Sequence, residues 1–180
     1  MSDIADEMGI SKGSLYNYVC SKEELYLQTI SNRFNLFLNL LTDKITDTCD
    51  SIENLKTLII QYYSFMCKYS HFFELWKQLK THAYSISKND LLYFENQLKE
   101  LFYSVLSRGI SDGSFKDVDI HFSTEMIFGM LDRAISRGIN IPPKDRTSDK
   151  QQLVQFVQHI VLVDSLSQQI VQPSDEAGSV

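Results

Sequence analysis

The chain is poor in the residues that break or staple a backbone: 3 Pro, 7 Gly and 3 Cys among 180 residues. Cys20, Cys49 and Cys67 are odd in number and have no CxxC spacing, which points away from a disulfide framework or a zinc site and fits a reducing, cytoplasmic setting. There is no run of 18 apolar residues, and MSDIADEMG lacks both the basic and the apolar part of a secretory leader. Neither membrane insertion nor secretion is expected. His71, His82, His121 and His159 stand far apart without HExxH or an i, i+4 pair, so no metal is expected. GxSxG, P-loop and GxGxxG patterns are missing, and acid pairs such as Glu23-Glu24 sit at capping positions. No enzyme and no cofactor are indicated.

What is present is a core-forming composition, 43% hydrophobic and 12% aromatic, with a net charge of −6. That balance opposes coating nucleic acid through bulk charge but leaves room for a small basic patch. The stretch between Gly13 and Gly109 has neither Gly nor Pro, which a turn-rich β-protein would not tolerate. The fold class expected is all-α.

Tyr26, Ile30, Phe34, Phe37, Leu41 and Ile45 mark one face of a long helix over 22–48, about 40 Å at 1.5 Å per residue, with a capping box at Ser21-Lys22-Glu23-Glu24. Apolar stripes predict further helices over 52–69, 71–85, 90–108, 119–137 and 149–171. The domains read as a head with the start of the connecting helix (1–33), a helical body (34–172) and a disordered tail (173–180). The last helix is too apolar to bury one face only, and no later segment can cover the second. It predicts a homodimer in which Ile127, Met130, Leu131 and Ala134 of one helix pair with Phe156, Val157, Ile160 and Val163 of the next in a four-helix bundle. Ser123 and Gly129 would allow close approach. The alternative is a central helix in a monomer.

Ile4 to Gly9 describes a short helix stopped by glycine, and Ser11 caps a second over Lys12 to Val19. This is the helix-turn-helix arrangement, in which the second helix enters the major groove. Ile4, Ala5, Ile10, Leu15 and Val19 would lock the pair together. Lys12, Ser14, Tyr16, Asn17, Tyr18 and Lys22 are left facing outward, with no acid between Gly9 and Lys22.

The run IADEMGISKGSLYNYVCSKEELY resembles the helix-turn-helix of the tetracycline-repressor (TetR) family of bacterial transcriptional regulators, with Met8, Val19 and Cys20 as departures. The run SDGSFKDVDIHFSTEMIFGMLDRAI is similar to the start of that family's dimerising helix. The resemblance implies a cytoplasmic homodimer on a pseudo-palindromic, double-stranded operator. In the family, a small molecule bound in a C-terminal all-α domain releases the DNA. Carried over, it implies Lys12 at base edges or a phosphate, Gly13 allowing close backbone approach, and hydroxyls of Ser14, Tyr16 and Tyr18 on phosphates. Lys22 would grip a phosphate, with Asn17 and Ser2 also at the DNA. The family head has a further helix before this pair, so the expected reading is that Met1 is an internal Met of a longer protein or a trimmed start. The rival reading, consistent with the missing first helix, is a dimeric ligand- or protein-binding module descended from such a repressor that no longer binds DNA; residues 1–33 carry a net −2.

Of the 21 aromatics, 12 fall between Tyr62 and Tyr103. An apolar effector pocket among these helices would be lined by Tyr62, Phe65, Met66, Trp76 and Phe94, with His82 as a titratable anchor.

Overall fold

The computed structural model describes residues 1–45, 50–81 and 88–163. Among the described residues the architecture is helical: α1 (Ser2–Glu7), α2 (Lys12–Tyr16), α3 (Lys22–Lys44), α4 (Ser51–Lys68), α5 (Ser70–Thr81), α6 (Lys88–Ser111), α7 (Ile120–Gly138) and α8 (Arg146–Val161). Four helices begin at a side chain that accepts a free backbone N–H of the first turn: Ser11 from Ser14, Ser21 from Glu24, Asp50 from Glu53 and Asp119 from Phe122. At α3 the Glu24 carboxylate also reaches back, one residue further than in a capping box, and accepts the Cys20 N–H at 2.5 Å.

Two apolar cores result. Ala5, Leu15 and Val19 form a small one in the head, with Met1, Ile4, Ile10 and Leu25 packed on it. The large one fills the body, and α3 supplies Ile30, Phe34, Phe37 and Leu41 to it, all fully buried. One helix therefore contributes to both cores, Leu25 to the first and Ile30 onward to the second. Tyr26, on the same stripe, stays 37% exposed between them.

Several expected boundaries move. The second head helix ends at Tyr16, not Val19, because Asn17 and Tyr18 close tight turns onto Ser14 and Leu15 and deliver Val19 to the head core. The long helix ends at Lys44, with Ile45 extended, and residues 46–48 of the expected helix lie outside the described residues. The helix α6 runs through Gly109, where a Cβ would lie 2.1 Å from the Phe115 ring, so glycine admits Phe115 to the core.

The last helix is the main correction. It spans Arg146–Val161, and Leu162 leaves it in extended backbone to bridge Phe115. The Lys116 N–H donates to the Val161 carbonyl at 2.8 Å and the Val163 N–H to Ser114 at 3.4 Å. Val161 and Leu162 are thereby buried within the protomer, each at 1% exposure. Part of the apolar excess that predicted a second buried helix face is satisfied by this strap. The remainder of the expected helix, 164–171, and the expected tail, 173–180, lie outside the described residues.

Candidate nucleic-acid interface and the helical body

The turn between α1 and α2 depends on Gly9, whose φ of +65° lies where residues with a Cβ are strained. After it, Ser11 Oγ accepts the Ser14 N–H at 3.0 Å and lies 2.8 Å from Ser14 Oγ. Ser14 is thus half-buried and already engaged at the cap, a competing role that the outward placement of its hydroxyl overlooked. Lys12, Gly13, Tyr16, Asn17 and Tyr18 are exposed, Tyr18 at 77%. Ser2 is exposed at the start of α1. Lys22 opens α3, exposed, with its ammonium 5.6 Å from the centroid of the Tyr26 ring. The surface so formed presents two cations, two phenols and an amide from α2, its C-terminal turn and the start of α3. The acids of α1, Asp3, Asp6 and Glu7, are exposed as well.

In the body, Tyr62, Phe65, Met66, Trp76 and Phe94 are all buried, and His82 lies outside the described residues. The five do not line a common described opening. Phe34 stacks on Trp76 at 5.5 Å and meets Phe94 at 4.7 Å, while Phe37 stacks on Phe65 at 4.3 Å and meets Tyr62 edge-on at 5.4 Å. Burial pushes the Tyr62 phenol well above its ordinary value, aided by the negative charge of Asp132 and Glu95, so it is a neutral hydroxyl at any physiological pH. Two polar features were missed by pattern reading. Thr124 Oγ1 is buried without a hydrogen-bond partner. Lys99 bridges Glu95 and Glu125 at 3.1 and 2.5 Å. Burial opposes the charge of Lys99, but those two carboxylates outweigh it and hold its pKa above the ordinary lysine value. Neither falls in a recognisable motif: Thr124 is set apart only by its burial, and Lys99 reaches across from α6 to Glu125 on α7 as well as to Glu95 on its own helix.

The α7–α8 face differs in detail from expectation. Ile127, Leu131 and Val157 lie in the protomer's own core, and Met130 and Ala134 are partly buried against it. The apolar side chains that remain open are Phe122 (63% exposed) and Met126 on α7, and Phe156 (59%) and Ile160 on α8. Gly129 sits among them with nothing near the position of a Cβ. Val163 lies on the strap beyond α8. The sequence stripe on α7 thus marks the face toward α4 and α6, and the open face lies one position round the helix.

No family model matches the chain. Among curated proteins it is 21% identical over 141 residues to the fatty acid metabolism regulator protein of Bacillus subtilis, covering 76% of this chain and 71% of that protein. It is 26% identical over 123 residues to the HTH-type transcriptional repressor KstR2 of Rhodococcus jostii, covering 67% of the chain and 60% of the repressor. Among solved structures it superimposes on the transcriptional regulator FadR of Bacillus subtilis in complex with stearoyl-CoA with a TM-score of 0.70, at 21% identity, covering 88% of this chain and 84% of that one. It also superimposes on the TetR-family transcriptional regulator PfmR of Thermus thermophilus with a TM-score of 0.73, at 20% identity, covering 88% and 87%. The chain therefore has the fold of the TetR-family transcriptional regulators and carries their helix-turn-helix pattern within it.

Proposed function

We propose that this protein is a DNA-binding transcriptional regulator, a homodimeric repressor that leaves its operator when a small, largely apolar ligand occupies the helical body. The observation that carries the reading is the helix-turn-helix itself. A capped α2 with Leu15 turned inward exposes Lys12, Tyr16, Asn17 and Tyr18 beside Lys22 at the start of a long helix. Lys12 is the base-reading cation. Lys22, with the free amides of α3, holds a phosphate, as do the hydroxyls of Tyr16 and Tyr18. The open apolar face of α7 and α8 is the subunit contact. No residue is assigned a catalytic role.

The effector acts by reciprocal coupling. A ligand that favours one arrangement of the two heads weakens operator binding by the factor that the operator weakens ligand binding, typically about 1–3 kcal/mol. The named relatives supply a class: a regulator of fatty acid metabolism and a structure holding stearoyl-CoA support an effector with a long apolar part. A gel shift of the full protein against the DNA upstream of its own gene tests the reading. A saturable shift that long-chain acyl thioesters reverse is expected, and absence of any sequence preference over competitor DNA refutes it.

A second reading, a helical dimer that binds ligand or protein without DNA, is favoured by one observation: Asp3, Asp6 and Glu7 are exposed on α1 beside the reading helix. It predicts effector binding with no gel shift.

A further inference from the structure

The outer surface where α3 meets α4 carries a groove of about 290 Å³ lined by Leu36, Leu40, Gln61, Ser64, Phe65, Lys68 and Tyr69. Its floor is apolar and its two ends differ. On α3, Arg33, Leu36 and Leu40 follow one another at helical spacing. On α4, Gln61, Ser64 and Lys68 do so in the opposite direction. The two helices run antiparallel, because Phe37 stacks on Phe65 while Arg33 lies over Tyr69. At one end, therefore, the Arg33 guanidinium sits 4.5 Å from the centroid of the Tyr69 ring and the Lys68 ammonium 5.2 Å from it. At the other end Leu40 and Gln61 leave the groove uncharged. No carboxylate lines it, and among the described residues neither cation is paired with an acid.

Two cations drawn to one ring, next to a channel with an exposed leucine (Leu36, 52%), make a surface with a charge to satisfy at one end and apolar area to cover along its length. We propose that this groove binds a medium-length alkyl anion, with the carboxylate between Arg33 and Lys68 beside Tyr69 and the chain along Leu36, Phe65 and Leu40. The span from Arg33 to Leu40 is seven residues, about 10 Å of helix at 1.5 Å each, which suits a chain of about eight carbons and not a long one. The groove meets the aromatic core assigned to the effector at one shared residue, Phe65, which it touches from the outer surface, and it is separate from the α7–α8 face. It stands whether or not the protein binds DNA.

Calorimetry with sodium octanoate on the full chain tests it, using octyltrimethylammonium as the matched cation. Octanoate is expected to saturate one site per chain. Losing the charge-assisted contacts in Arg33→Gln/Lys68→Gln should weaken binding about tenfold or more. The ammonium amphiphile should bind at least about tenfold more weakly than octanoate, since it meets two like charges. Leu36→Glu, a change at an exposed position that leaves the fold intact by circular dichroism, should weaken octanoate by a similar factor. Octanoate that fails to saturate a single site, or that binds all these variants as it binds the parent, overturns the proposal.

Discussion

Gly138, the last residue of α7, lies directly under the hydroxyl of Tyr63 on α4, so close that a Cβ there would fall 2.1 Å from Tyr63 Oη and 3.0 Å from Cys67 Sγ. Tyr63 cannot easily yield. It is fully buried, and its hydroxyl donates to Asp149 Oδ2 at 3.2 Å, while Asp149 Oδ1 takes Arg137 at 2.5 Å. Burial, with the Cys67 thiol and the Asp149 carboxylate beside it, raises the Tyr63 phenol far above its ordinary value and keeps it a donor. Gly138→Ala would gain up to about 1 kcal/mol of helix propensity. Overpacking costs more, about 1–3 kcal/mol. The net outcome expected in urea denaturation is a loss of stability, and a smaller loss when Gly138→Ala is made in a Tyr63→Phe background, where the nearest clashing atom is gone.

Acid should loosen the join between α6 and α4. The Asp112 carboxylate accepts from Ser51 Oγ at 2.7 Å and from the Ser114 N–H at 2.9 Å, and Ser51 is fully buried at the start of α4. The hydrogen bonds from Ser114 and Ser51, with Arg108 nearby, hold its pKa below the ordinary 3.8. A group lowered on folding stabilises the native state above its unfolded pKa and loses that contribution as the pH falls through its folded pKa. Asp112→Asn should therefore unfold at a lower temperature than the parent at pH 6. The difference should shrink in melts taken progressively below pH 3.8. A gap that widens with acid would contradict the assignment.

The subunit contact is testable at one ring. Phe156→Glu places a charge in the middle of the proposed α7–α8 interface at a position 59% exposed in the protomer. The dimer dissociation constant measured by analytical ultracentrifugation should rise at least about thirtyfold, since central aromatic anchors carry 2 kcal/mol or more. The helical signal should be kept. Ile127→Glu should behave otherwise, unfolding the protomer, because Ile127 belongs to the core.

Lys12 and Lys22 separate base reading from phosphate grip. Lys22→Ala should weaken binding to all sequences alike and lower the salt slope by about one. Lys12→Ala should in addition relax the preference for operator over random DNA, by about 1–3 kcal/mol if the contact is to guanine. Equal specificity ratios for the two variants, read from competition gel shifts, would sink the division of roles.

The helical class and the rod-like α3 were legible because both rest on local signals: few breakers, a capping box, and an unbroken 3.6 period. The head was legible for the same reason, with Gly9 and Ser11 marking the turn. What escaped depends on where a neighbour lies. Leu162 and Val163 read as a continuation of the helix because their apolarity is equally suited to a strap on Phe115. Ile127 and Leu131 fit a partner-facing stripe as well as a core-facing one. Only the position of α4 and α6 decides, leaving Phe122, Met126 and Gly129 outside. The effector pocket was read from aromatic density, and density alone does not distinguish a lined opening from rings stacked on one another, as Phe37 and Phe65 are.

Because α3 is clamped in the body from Ile30 onward and carries Lys22 at its other end, it multiplies small rotations. Eight residues separate Lys22 from Ile30, an arm of about 12 Å at 1.5 Å per residue. A tilt of about 10° at the clamp sweeps the Lys22 end through about 2 Å, most of the length of one hydrogen bond. A readjustment of that size around Ile30 would be enough to lift that end off the phosphate proposed for it.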